Sequence, residues 1–179
     1  MTWYADLEPC DYFGEPYDEA VAVGWLEATE PYTRGRSEQT LLAKLNAIRN
    51  DSFAPMIFMG PHFCSFCLAN VEEVQAEDVA AGIDNLWIPG DGVVYVTPEL
   101  VTHYMQAHEY LPPQSFLDAV RKCPTEPADY ARALSRSAPV SMRRDLQAAL
   151  DGWLERLPSR RAEEAERKKR EFRWSWKDP

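Results

Sequence analysis

Hydrophobic and polar positions change period several times along this chain, and each change predicts an element. Residues 1–19 are aromatic but broken by Pro9, Gly14 and Pro16, which predicts an irregular segment anchored by ring side chains. Residues 20–26 are apolar and rich in valine, the composition of a strand. After the punctuation at Pro31 and Gly35, Ser37 offers an N-cap for a helix to about Asn50, with Leu41, Leu42, Leu45 and Ile48 on one face. Residues 56–60 form an apolar run too short for a helix after Pro55 and predict a strand. Residues 68–81 hold Glu72, Glu73, Glu77 and Asp78 without a clear apolar period, consistent with an acidic helix or a loop.

The second half has stronger signals. Residues 85–88 and 93–96 flank Pro89-Gly90-Asp91-Gly92, which predicts a β-hairpin. Thr97 as cap, Pro98 in the first helical position and Glu99 near the positive end of the dipole predict a helix that stops before Pro112-Pro113. Gln114 to Lys122 follows as a short helix burying Phe116, Leu117 and Val120. Residues 130–135 fit a helix, and residues 140–157 place Met142, Leu146, Ala149, Leu150, Trp153, Leu154 and Leu157 at helical spacing. Gly152 interrupts that helix at a cost of about 1 kcal/mol relative to Ala. Residues 160–173 have almost no apolar face, and their i,i+4 pairs (Glu163 with Arg167, Glu164 with Lys168, Glu166 with Arg170) predict a solvated helix.

These elements describe an α+β fold, with a small, mainly antiparallel sheet, packed helices and a helical C-terminal extension. The expected organisation is an α+β domain over residues 1–125, a helical extension over 126–158 and a charged, partly disordered tail over 159–179. With 179 residues, 45% of them hydrophobic, the chain can bury a core without staples. No apolar run reaches the ~18 residues of a membrane span, and the first residues have neither a basic start nor an apolar stretch, so a cytoplasmic location is expected.

The net charge of −10 is unevenly spread. Residues 1–127 carry 20 acidic and 6 basic side chains, and residues 128–179 carry 9 acidic and 13 basic. An acidic body of −14 repels nucleic acid and anionic membrane, and favours a basic protein as partner. Lys168-Lys169-Arg170 beside Phe172, Trp174 and Trp176 has the residue types of single-strand binding, but interleaved glutamates argue for a polar tail.

Chemistry concentrates in Pro61-His62-Phe63-Cys64-Ser65-Phe66-Cys67. Zinc favours thiolate and imidazole, and closes a structural site with four ligands. His62, Cys64 and Cys67 offer three of them. The fourth is expected from His103 or His108. On one continuous helix, at about 100° per residue, these two lie roughly 140° apart, so only one faces the cluster easily. Helical phase with Val101, Tyr104 and Met105 slightly favours His108. Cys10 and Cys123 are isolated and read as packing residues. No phosphate-binding loop or nucleophile elbow is present.

Several motifs occur in one order: Met1-Thr2-x-Tyr4-x-Asp6-Leu7, Val23-Gly24-Trp25-Leu26, Gly60-x-His62-x-Cys64-x-x-Cys67, Tyr95-x-x-Pro98-x-Leu100-x-x-His103-Tyr104 and His108-x-Tyr110-x-Pro112-Pro113. Through them residues 1 to about 125 resemble an uncharacterised family of small bacterial proteins, a domain of unknown function. The resemblance includes both His103 and His108 and implies no activity. Three functions fit the residues. The favoured one, not an enzyme, is an interaction module with a structural zinc site. A thiol-disulfide oxidoreductase would use Cys64 as nucleophile and Cys67 to resolve the mixed disulfide. A zinc-dependent hydrolase would keep one coordination position for water, though no His-x-Glu or His-Glu-x-x-His motif supplies its base.

Overall fold

A computed structural model describes residues 2–51, 53–55, 60–69 and 79–175, with side chains through residue 169. In chain order the elements are a 3-10 turn Asp11–Phe13, β1 Val21–Ala22, α1 Gln39–Asn50, β2 His62–Phe63, α2 Ser65–Ala69, β3 Ala81–Gly82, β4 Asn85–Pro89, β5 Val94–Pro98, α3 Val101–Ala107, α4 Gln114–Lys122, α5 Pro127–Ser137 and α6 Val140–Ser175. The fold is α+β. One sheet has the order β1-β5-β4, with β1 parallel and β4 antiparallel to β5, and a second pairs β2 with β3 antiparallel.

The hairpin forms where its turn chemistry placed it. Gly90 N–H donates to the Val93 carbonyl at 2.8 Å, and Gly92 supplies φ +67°, which non-glycine residues rarely adopt. Both hairpin strands are buried throughout, because α4 and α5 cover β4 while the N-terminal aromatics stack on Trp87. Phe13 and Tyr17 lie 5.2 and 5.5 Å from the Trp87 ring, and Tyr4 lies 5.6 Å from Trp25, so aromatic anchoring does hold the irregular first segment.

Helix α1 buries the four predicted residues Leu41, Leu42, Leu45 and Ile48, and α4 buries Phe116, Leu117 and Val120. The apolar stripe of α6 (Met142, Leu146, Leu150, Trp153 and Leu157) joins the same core, and the Tyr130 hydroxyl of α5 donates to the Trp87 carbonyl at 2.5 Å. Residues 159–175, expected as a tail, continue α6 as helix, exposed over most of the part whose side chains are described. Among the described residues no helix is long and apolar enough to cross a membrane.

Four local expectations need correction. Glu38 rather than Ser37 occupies the N-cap position of α1. The strand expected over 20–26 pairs only at Val21–Ala22, because Gly24 turns the chain with φ +72°. Thr97 and Pro98 do not open a helix: they extend β5 opposite Leu86 and Asn85, and α3 starts three residues later. Strand pairing here outweighs the local capping signal. Helix α3 ends before Pro112 as expected, but it does not carry both histidines: it stops at Ala107 and leaves His108 as its C-cap. The strand expected over 56–60 and most of the ambiguous acidic stretch fall on residues 56–59 and 70–78, outside the described residues.

Candidate metal centre

Two short segments meet at one end of the molecule. In the first, β2 leads through Cys64 into α2, which carries Cys67. Cys64 N–H donates to the Ala80 carbonyl at 2.8 Å, tying the turn to β3, and the Ser65 hydroxyl accepts from the Ala28 N–H at 2.9 Å. The second is the C-terminal end of α3, which carries His103. Its last turn closes at His108, the C-cap, with φ −119°, and Glu109 then adopts the left-handed conformation at φ +54°. Tyr110 N–H returns to the Tyr104 carbonyl at 3.1 Å.

This termination explains why both histidines face the cysteines. A rotation of 100° per residue holds only within a helix, and His108 has already left helical geometry. The two Nε2 atoms are 3.1 Å apart. Cys64 Sγ lies 3.3 Å from His108 Nε2, and Cys67 Sγ lies 3.4 Å from His103 Nε2 and 3.6 Å from His108 Nε2. All four donor atoms fall within 4.8 Å of one another. A tetrahedral zinc with Zn–N of about 2.05 Å and Zn–S of about 2.3 Å requires N···N edges of about 3.3 Å and N···S edges of about 3.6 Å. Four of the six edges lie within about 0.3 Å of those values, and the group could hold a metal ion.

His62 stands outside this group. It sits on β2 opposite Gly82, where burial lowers its pKa. Four donors already make a complete tetrahedral set without it. Cys10 and Cys123 are buried in the hydrophobic core, where burial pushes both thiols up to about 12.

The site is walled by aromatic rings. Phe66, between the two cysteines in sequence, lies 4.9 Å from the His108 ring, 5.9 Å from Tyr104 and 5.3 Å from Tyr32. The Tyr32 hydroxyl donates to the His108 carbonyl at 3.0 Å, fixing the backbone of that ligand. Cys64 is fully buried and the other three residues are half-buried. Burial first, then the positive charge of His108, lowers the His103 pKa; burial, then Arg34, lowers that of His108. Both shifts favour the neutral imidazole, the form that binds a metal. Burial pushes the Cys64 thiol up to about 11, so the metal-free site keeps that proton at neutral pH.

Behind the ligands, Asp6, Gly24 and Tyr110 form a part-buried knot; all three stand in the sequence motifs, where nothing local indicates their role. One Asp6 carboxylate oxygen accepts from the Gly24 N–H at 2.9 Å and from the Tyr110 hydroxyl at 2.7 Å. A Cβ at Gly24 would stand 3.2 Å from Tyr110 and Val101 and 3.3 Å from Thr97. The knot joins the N-terminal segment, the end of β1 and the residue two beyond His108. Only a contact between residues over a hundred positions apart creates it, and periodicity carries no sign of such a contact.

Of the C-terminal basic residues, Lys168 and Lys169 are within the described side chains. Lys168 pairs with Glu164 at 2.7 Å and Lys169 with Glu166 at 2.6 Å. Trp176 lies outside the described residues.

A family model described as a domain of unknown function, DUF7919, matches residues 2–121, a span that contains Cys64, Cys67, His103 and His108 and every residue of the Asp6 knot. Searches of curated proteins and of solved structures find no match.

Proposed function

The chain belongs to the DUF7919 family, and from the site built within its matched span we propose a structural zinc centre in a small cytoplasmic protein-interaction module. The observation that carries the zinc reading is the set of donor edges, 3.1 to 3.6 Å, formed by two sulfurs and two imidazole nitrogens. A catalytic zinc keeps a coordination position open for water, whereas Cys64, Cys67, His103 and His108 fill all four. The role of the ion is to fasten the Cys64–Cys67 turn to the end of α3. The acidic charge of residues 1–127 supports a basic protein as the partner of the module.

A redox role for the two cysteines is less well supported. A nucleophilic cysteine needs a lowered pKa, and burial drives Cys64 the other way. The deciding experiment is elemental analysis of tag-free protein with thiol titration before and after chelation. One zinc per chain, with Cys64 and Cys67 reactive only after chelation, supports the centre. Absence of zinc together with a reversible Cys64–Cys67 disulfide would replace it with the oxidoreductase.

A further inference from the structure

The four ligands of the cluster are divided unevenly between its two arms. Both sulfurs stand on the β2–α2 arm, Cys64 just before α2 and Cys67 within it. Both imidazoles stand on the α3 arm, His103 inside the helix and His108 at its C-cap. A disulfide between sulfurs on opposite arms would exchange a metal cross-link for a covalent one. A Cys64–Cys67 disulfide instead closes within one arm and ends the tie to α3 through the cluster.

Placement and access both favour that bond. The two sulfurs are three residues apart in sequence and within 4.8 Å of one another in space. Of the four cysteines, Cys10, Cys64 and Cys123 are at most 1% exposed, and Cys67 alone is partly exposed. The arms also differ in what holds them without the metal. Val101, Tyr104 and Met105 anchor α3 in the core, whereas α2 buries no residue fully and β2 and β3 share two residue pairs.

Resting on the zinc reading above, we propose that Cys67 is an oxidation site, through which a hydroperoxide converts the metal cross-link into a Cys64–Cys67 disulfide. Zinc-bound cysteines are thiolates, the form that reacts. With hydrogen peroxide, the Cys67 sulfur attacks one oxygen as the O–O bond breaks, giving the sulfenic acid and hydroxide. The Cys64 thiolate then attacks the Cys67 sulfur; the S–S bond forms, the S–O bond breaks and a second hydroxide leaves. The two sulfurs lose two electrons and the peroxide gains them. The ion, left with two imidazoles, is released, and the β2–α2–β3 arm comes free of α3.

The test treats the full chain, purified with its zinc, with hydrogen peroxide beside a chromogenic chelator that leaves the untreated protein intact. About one zinc per chain should be lost as one Cys64–Cys67 disulfide appears in unreduced peptide maps, with Cys10 and Cys123 still thiols. Amide exchange at residues 62–69 and 81–82 should rise to the level of the chelated protein, and dithiothreitol with added zinc should reverse both changes. Cys10→Ala with Cys123→Ala should lose zinc at an unchanged rate. Zinc retained at millimolar peroxide, or lost while Cys64 and Cys67 pass to sulfinic acid without pairing, overturns the oxidation site and leaves the structural zinc standing. Protein that carries no zinc before treatment overturns both.

Discussion

The two ends of this molecule are stabilised by different means. Around the hairpin, β4 and β5 are buried along their whole length, and Trp25, Trp87, Phe116, Leu134 and Leu146 have essentially no exposure. Around the cysteines, β2 and β3 form two residue pairs, and the five-residue α2 buries no residue fully. A helix of one turn and a two-stranded ribbon are each marginal alone in water. Phe63, Leu68 and Ile83 remain exposed there, so little apolar burial offsets the entropy of ordering that segment. The comparison teaches where a cross-link is needed: the short β2, α2 and β3 segment contributes little buried surface, whereas α3, which carries His103, belongs to the core through Val101, Tyr104 and Met105.

Breaking the cross-link should therefore separate the two ends. Chelation of the proposed zinc, or Cys64→Ser, is expected to have the largest effect, since structural zinc sites contribute on the order of 10 kcal/mol to folding of small domains. Hydrogen exchange should rise first at residues 62–69, 81–82 and 101–110, while β4, β5 and α4 stay protected. Uniform deprotection of both ends would erase the distinction.

Core substitutions should have the reverse signature. Leu146→Ala is expected to cost about 2–5 kcal/mol in denaturant unfolding, with zinc content unchanged. Gly24→Ala tests the knot that couples the two ends: φ +72° and contacts at 3.2–3.3 Å predict a loss of more than about 1 kcal/mol, with weaker metal retention because Tyr110 shifts beside His108.

Acid should act on the cysteine end through its histidines. Their folded pKa values lie below the ordinary 6.5, so the folded metal-free state binds fewer protons than the unfolded one. Stability of that state is fully present above pH 6.5 and is lost as pH falls through the lowered values. The metal-bound protein should resist acid further, then lose zinc in the same direction. At pH 7.5 zinc binding should release at least the Cys64 proton, readable by calorimetry in buffers of different ionisation enthalpy.

How much of this was legible in the sequence depends on the range of each contact. The hairpin, α1 and α4 could be read because turn glycines and apolar periodicity are local. The cysteine pair and the histidines could be nominated from residue type. Their assembly was only partly legible: on one continuous helix the two histidines point roughly 140° apart, whereas α3 ends at Ala107 and admits both. His62, adjacent in sequence, stays opposite Gly82. Strand β3 has two residues and no composition signal, and Thr97-Pro98 imitates a helix start inside a strand. The smallest expected effect follows from this: His62→Ala should leave zinc stoichiometry at one and Tm nearly unchanged.

The most direct measurement is zinc K-edge X-ray absorption on tag-free protein purified without chelator, together with metal quantitation. The account predicts one zinc per chain with two sulfur scatterers at about 2.3 Å and two imidazole nitrogens at about 2.0 Å. Protein without stoichiometric zinc, or a first shell containing water oxygen in place of one imidazole, would contradict it.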